Sequence, residues 1–312
     1  MSAALEVRRL TRRFGGLIAV DDASFEIQRG EILGFIGPNG AGKTTTMRVC
    51  ATLDLPDGGD VFIDGMSVVE HPREVRQRLG FMPDSYGVYA NTTIAEYLDF
   101  FARSYGLRGK NRARMLSFVK EFTGLLPLEH KLMTALSKGM KQRLCLAKTL
   151  LHDPALLILD EPAAGLDPHA RVELRELVKA LADLDKAVLI SSHILTELSQ
   201  ICTSVAVIEA GRIRATGTVA DVVRQAQTTH QRVFMRALAA VDDVLKALLE
   251  SPGVESAHPE RDGISFEFSG EEDDLARLVA LLVERGLAPV EFSPRKIDLE
   301  DVFLSLTDGT VR

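Results

Sequence analysis

Short apolar runs separated by glycine and acidic turns dominate the first part of this chain, and they read as strands. Leu5-Glu6-Val7 and Ala23-Ser24-Phe25-Glu26-Ile27 alternate apolar and polar positions, the period of a half-buried strand, and the second stops at an Arg29-Gly30 turn. Glu31-Ile32-Leu33-Gly34-Phe35-Ile36 is almost continuously apolar, which suits a strand covered on both faces of a parallel sheet. Asp60-Val61-Phe62-Ile63-Asp64-Gly65 reads as a further strand and turn. From about Thr92 to Cys145 the period becomes helical, with Ile94, Tyr97, Leu98 and Phe101 at i, i+3, i+4, i+7. Strands return at Leu156–Leu159, Ala187–Ile190 and Ser204–Ile208. The pattern predicts an α/β core, residues 1–220, interrupted by a helical subdomain at about residues 85–150.

Beyond that core the chain turns polar, and residues 221–231 read as a linker. The remainder, 232–312, gives a strand (Arg232–Leu238), a helix (Val241–Leu249), two strands (Val254–His258, Ile264–Phe268), a helix (Glu271–Glu284) and a strand (Pro289–Phe292). A final amphipathic helix follows. This order predicts a small βαββαβ accessory domain of the α+β class. No internal repeat or low-complexity tract is visible.

The bulk properties narrow the function. With 46% hydrophobic and 26% charged residues over 312 positions, the chain reads as a globular protein of one large and one small domain. Its net charge of -7 disfavours a general nucleic-acid binder, so no nucleic-acid partner is expected. The first residues carry no apolar core of the signal-peptide kind, and no apolar run reaches the roughly 18 residues that cross a bilayer. A role at a membrane would therefore need a partner to hold the protein there. Cys50, Cys145 and Cys202 are far apart in apolar surroundings and read as reduced, buried thiols of a cytoplasmic protein.

The chemistry begins after the strand ending at Ile36. Gly37-Pro38-Asn39-Gly40-Ala41-Gly42-Lys43-Thr44 satisfies GxxxxGK[ST] at every fixed position, between a strand and a helix that starts near Thr44 and Thr45. Glycines let the backbone N–H groups wrap phosphates, and the helix N-terminus adds unpaired N–H groups and partial positive charge. Lys43 is placed to contact the β- and γ-phosphates and Thr44 to ligate Mg²⁺. Downstream, the apolar strand Leu156–Leu159 ends in Asp160-Glu161. Adjacent carboxylates at the end of a buried strand need a partner for their charge. Asp160 suits Mg²⁺, directly or through water, and Glu161 suits a general base that polarises the attacking water.

Three further segments make the pattern specific: Leu136-Ser137-Lys138-Gly139-Met140-Lys141-Gln142-Arg143, Gly165-Leu166-Asp167-Pro168 and Ser191-Ser192-His193. With them, residues 5–220 resemble the ATP-binding subunits of ABC transporters. The Ser-Lys-Gly-Met-Lys-Gln-Arg form resembles the signature of bacterial type-2 exporter ATPases such as drug-resistance, sodium-export and haem-export subunits. Leu299-Glu300-Asp301-Val302-Phe303-Leu304 resembles that subgroup's tail. The resemblance implies a P-loop NTPase core and an ATPase that powers a separate membrane permease, by preference an exporter. It places the protein in the cytoplasm, on the inner face of the plasma membrane through that permease. It also implies a head-to-tail homodimer that sandwiches two ATP molecules, with Ser137 and Gly139 meeting the γ-phosphate in trans. On the residues alone, Ser137 reads as an ordinary N-cap. His193 resembles a switch histidine that contacts the γ-phosphate and orients Glu161, although a lone His after an apolar strand is otherwise structural. Asp167 resembles the interface aspartate linking the two sites. Phe14 stands where the family stacks an aromatic on adenine, and otherwise reads as core.

Departures from the family pattern bear on single residues. Asp84 ends a loop that usually ends in Gln; it is short and charged, and can reach the metal or a water. Lys138, Met140 and the pair Ala163-Ala164 also differ. Arg103, Arg108, Lys110, Arg112 and Arg114 read as a solvated helix face, with contact to a permease helix or lipid headgroups as the alternative. Tyr86, Tyr89, Phe100 and Phe101 lie where relatives receive a coupling helix, and helical spacing also fits core. A competing reading, a soluble ABC ATPase acting on ribosomes, nucleic acid or assembly complexes, calls for fused ATPase units, long coiled coils or a basic patch. The sequence carries none of these. The accessory domain reads as a dimer-stabilising appendage or a regulatory module.

Overall fold

In the computed structural model the described residues are 3–84, 87, 89–192, 194–226 and 231–295. Two compact units emerge, meeting at Val219/Ala220. In the first, a long hairpin of β1 (Leu5–Phe14) and β2 (Leu17–Ile27) leads to β3 (Ile32–Ile36) and α1 (Lys43–Cys50). Next come β4 (Gly58–Ile63), β5 (Met66–Ser67), α2 (Pro72–Val75) and β6 (Leu79–Met82). The helical stretch holds α3 (Ile94–Ser104), α4 (Gly109–Phe122) and α5 (Lys138–Leu150). It is followed by β7 (Leu156–Leu159), α6 (Pro168–Asp183), β8 (Ala187–Ser191), α7 (Leu195–Leu198), β9 (Ser204–Glu209) and β10 (Arg212–Thr218), and α8 (Val219–Ala226) spans the division, with all but its first residue in the second unit.

The central sheet has the order β10-β9-β3-β8-β7-β6. Its strands run parallel except β10, which pairs antiparallel to β9 at one edge. Every residue of β3, β7 and β8 is buried, as their unbroken apolar runs require. A second, antiparallel sheet of order β2-β1-β4-β5 faces it. The core between them joins Val7, Leu10 and Val61 to Leu33, Phe35, Met47, Ile158 and Leu189. α1 gives Met47, Val49 and Cys50 to this core and starts just past the carboxyl end of β3, the side of a parallel sheet where open α/β folds bind ligands.

Local signals explain the helical part. Thr93 caps α3 in a reciprocal capping box with Glu96. Tyr97 is buried and packs edge-on to Phe101, while Tyr89 and Phe100 stay exposed, so the aromatic group divides between core and surface. Tyr86 lies outside the described residues. Arg103 and Arg112 both pair with Asp99, and Arg114 bonds Asn111, the behaviour of a solvated helix face. Cys50 and Cys145 are buried, and burial pushes the Cys50 thiol up to about 12 and raises those of Cys145 and Cys202. All three stay protonated and free.

The second unit holds β11 (Gln231–Ala237), α9 (Val241–Leu249), β12 (Val254–Glu260), β13 (Gly263–Phe268), α10 (Glu272–Glu284) and β14 (Pro289–Pro294). Its antiparallel sheet has the order β12-β13-β11-β14. Both helices cover one face, with Val244, Leu248, Leu278 and Leu282 packed on Val233, Met235, Phe266 and Phe268. The strand order is that of a split βαβ fold. One sequence reading needs correction: the polar stretch taken as a linker from 221 is helical through Ala226. Val219, Val222, Val223 and Ala226 have helical spacing, and Val222 is buried, so one apolar stripe outweighs the polar composition. The tail resemblance at 299–304 and the final helix lie outside the described residues.

Candidate functional site

The glycine loop connects β3 to α1, and its conformation depends on missing side chains. Gly42, the N-cap of α1, sits at φ 107°, and a Cβ there would strike the carbonyl oxygen of Ala19. A Cβ on Gly37 would strike the carbonyl oxygen of Ile208. The loop is thereby pressed against β2 and β9, leaving its outer side open. Lys43 is only 8% exposed. Its Nζ donates to the carbonyls of Gly37 at 2.6 Å and Pro38 at 3.1 Å, so the lysine folds back over the loop. Burial lowers its pKa, against the opposing pull of Glu161 and Asp160.

The facing wall is the end of β7. Asp160 is 3% exposed and accepts hydrogen bonds from the hydroxyls of Ser191, at 2.7 Å, and Thr44. Burial raises its pKa; those hydroxyls pull it down, and the charges of Asp84 and Glu161 push it up again. Asp84 is exposed at the end of the strand beside β7, close enough for its charge to register on Asp160. Glu161 adopts φ 49°, unusual for a residue with a side chain, and its N–H donates to Ser191 Oγ at 2.9 Å. Ser191, on the neighbouring β8, thus bridges both carboxylate residues. The sequence reading gave it no role; its signal is a small hydroxyl residue at a strand end beside an acidic strand end.

These elements enclose a cleft of about 360 Å³ lined by Phe14, Leu17, Ile18, Ala19, Asn39, Gly40, Gly42, Lys43, Thr44, Thr45, Asp160, Glu161, Ala210 and Gly211. Phe14 closes one end. It is 47% exposed at the hairpin tip, with the Arg12 guanidinium over its ring at 4.6 Å, so the core reading of this residue does not hold. Pro38 and Ala41 belong to the same loop: Ala41 is buried and donates its N–H to the Pro38 carbonyl at 3.1 Å.

Ser137, Gly139 and Asp167 do not line this cleft. Ser137 caps α5, its Oγ accepting from Met140 N at 3.2 Å. Gly139 is buried, and a Cβ on it would lie 2.8 Å from Ala170 Cβ. Asp167 caps α6 by accepting from Ala170 N at 3.0 Å, which holds its carboxyl below the usual range. Signature and cradle therefore occupy separate places in one copy. His193 lies outside the described residues.

The donor set fits a divalent cation held jointly with phosphates. Among the described residues no cluster of three or more acidic, His or Cys side chains could hold a metal alone. A buried carboxylate beside a hydroxyl, Asp160 with Thr44, is a usual half-site for Mg²⁺, which takes its other oxygens from water and substrate phosphate.

Residues 20–164 match the family model described as ABC transporter. The full chain is 32% identical over 312 residues to the Nod factor export ATP-binding protein I of Cupriavidus metallidurans, covering 100% of both. This chain belongs to the ATP-binding proteins of ABC transporters. It is also 35% identical, over 227 residues, to the probable multidrug ABC transporter ATP-binding protein YbhF of Escherichia coli K12. That match takes in 73% of this chain and spans 39% of the longer relative. A solved ATP-binding subunit of an ABC transporter superposes with a TM-score of 0.65 at 32% identity, covering 71% of this chain and 92% of that one. The fold is the P-loop ATPase cassette, with the βαββαβ unit appended. Among the described residues no helix is long and apolar enough to cross a membrane.

Proposed function

We propose that the protein binds and hydrolyses ATP to drive a separate membrane permease of an exporter, working as a homodimer with two shared ATP sites. One observation carries this reading: Lys43, Thr44, Asp160, Glu161 and Phe14 converge on one cleft, while Ser137 and Gly139 stand apart from it. A site divided in that way is completed by a second copy.

In this reading the adenine stacks on Phe14, and the loop from Gly37 to Thr45 wraps the phosphates. Lys43 leaves the Gly37 and Pro38 carbonyls for the β- and γ-phosphates. The carboxylates of Asp84, Asp160 and Glu161 outnumber the cleft's lysine, so a polyanion enters together with a cation. Thr44 and Asp160 would hold Mg²⁺, with Asp84 as a further ligand directly or through water, and the bound ion would supply positive charge against the phosphates. Ser137 and the Gly139 N–H of the second copy close on the γ-phosphate, and Asp167 lies at the seam. Glu161 takes a proton from water as its oxygen bonds to the γ-phosphorus and the bond to the β-phosphate oxygen breaks. Loss of the γ-phosphate removes the charge that the two copies share, and the dimer opens. Export is supported by the relative named for Nod factor export, and the permease holds the protein at the inner face of the membrane.

Affinity purification of the tagged protein from native membranes in mild detergent tests this. The expected companion is a stoichiometric polytopic membrane protein. Recovery with only ribosomes, nucleic acid or soluble partners would overturn the transport reading and leave the ATP chemistry standing.

A further inference from the structure

We infer that Gln142 positions Glu161 for catalysis by fixing the backbone turn that carries it. This inference rests on the proposed role of Glu161 as general base.

Gln142 lies in the second turn of α5 and is 2% exposed. Its side-chain amide donates to the carbonyl of Pro162 at 2.6 Å. A carbonyl only accepts, so the atom that reaches it is the amide nitrogen, and chemistry fixes the orientation of the group. The amide oxygen is buried without a hydrogen-bond partner. An apolar side chain of the same length would fold here without leaving that oxygen unpaired. What Gln142 adds is a directed bond.

That bond falls next to a strained residue. Glu161 is held at φ 49°, and such a conformation persists where its surroundings over-determine it. Three consecutive backbone groups are anchored: the Glu161 N–H on Ser191 Oγ, the Glu161 carbonyl by the Ala164 N–H, and the Pro162 carbonyl by Gln142. The middle anchor is local to the turn. The outer two come from β8 and α5, elements outside the turn itself. Removing the Gln142 donor leaves the Pro162 carbonyl unpaired and frees the turn that carries Glu161 to relax.

The same stretch of α5 grips the segment after Glu161 elsewhere. Lys138 drapes over Gly165, which sits at φ 65°, and Gly139 abuts Ala170. The start of the signature helix packs against the segment bearing Glu161, and Gln142 supplies a buried polar contact between them at the residue after Glu161.

The test is a double-mutant cycle in the full-length protein, reading single-turnover phosphate release and ATP affinity. Q142M keeps length and volume and removes the donor. It is expected to lower hydrolysis about 10- to 100-fold, the effect of misplacing a catalytic group by roughly an ångström, with ATP affinity within about twofold of wild type. In the Glu161→Gln background the same change should cost less than about twofold, because the group it positions is already gone. Independent, multiplying losses would overturn the inference, and so would a matching loss of ATP affinity. If Glu161→Gln alone left the rate unchanged, the proposed base would fall instead. Q142E is the second variant. Its carboxylic acid donates to Pro162 only when protonated, and burial raises that pKa, so its rate relative to wild type should climb as pH falls from about 8 toward about 6. A flat ratio contradicts the inference even where Q142M fails to fold.

Discussion

Replacing Glu161 by Gln leaves ATP binding intact and slows hydrolysis by about 10²- to 10⁴-fold, the usual contribution of a positioned general base. The amide matches the carboxylate in size and leaves the backbone bond to Ser191 in place, so the turn at φ 49° survives. The variant lacks the proton acceptor. It also lacks one of the negative charges that the γ-phosphate must face, so the ATP-bound dimer gains stability as it loses turnover. Size-exclusion chromatography with ATP should show a persistent dimer, and a phosphate-release assay the lost rate. Turnover near that of the wild type would remove Glu161 from the role of base.

Lys43→Ala abolishes tight nucleotide binding. Among the described residues lining the cleft, Lys43 is the only cationic side chain. Without it, Asp160 and Glu161 remain, with the charge of Asp84 close by. The lysine is already buried, which lowers its pKa, and its ammonium exchanges the Gly37 and Pro38 carbonyls for the phosphates. Truncating one partner of a buried charge pair costs about 2–5 kcal/mol, and ATP affinity should fall on the order of 100-fold or more. Titration with a fluorescent ATP analogue measures it. An unchanged dissociation constant would place the phosphates elsewhere.

The chain announces its site unevenly, for physical reasons. The cradle is legible because backbone N–H groups do its work, and only glycine spacing lets them converge; the steric limits at Gly37 and Gly42 are the structural form of that rule. The pair Asp160-Glu161 is legible because charge at the end of an all-apolar strand stands out. Strand periods located β3, β7 and β8 because burial on both faces leaves no ambiguity.

What the sequence hid depends on tertiary neighbours. Ser191 and Gln142 are common residues, and nothing in their local sequence says that one faces Asp160 or that the other reaches Pro162 across 20 residues. Phe14 reads as core because an aromatic ending a strand usually is; only the hairpin geometry puts it at the mouth of the cleft. The helix α8 was concealed by polar composition, although its apolar stripe was present. The separation of Ser137 from the cradle is a property of the fold, and no spacing rule within one chain expresses it.

That separation underlies the central claim, that each ATP site is built from two copies, and mixing two inactive variants tests it most directly. Lys43→Ala disables a cradle and Ser137→Ala a signature. In a dimer carrying one of each, one site takes both defects and the other is wholly intact. Random mixing should therefore restore ATPase activity to roughly one quarter of wild type from two preparations that are inactive alone, as expected of a two-fold dimer with shared sites. A mixture as inactive as its parts would contradict the account and place each ATP site within a single copy.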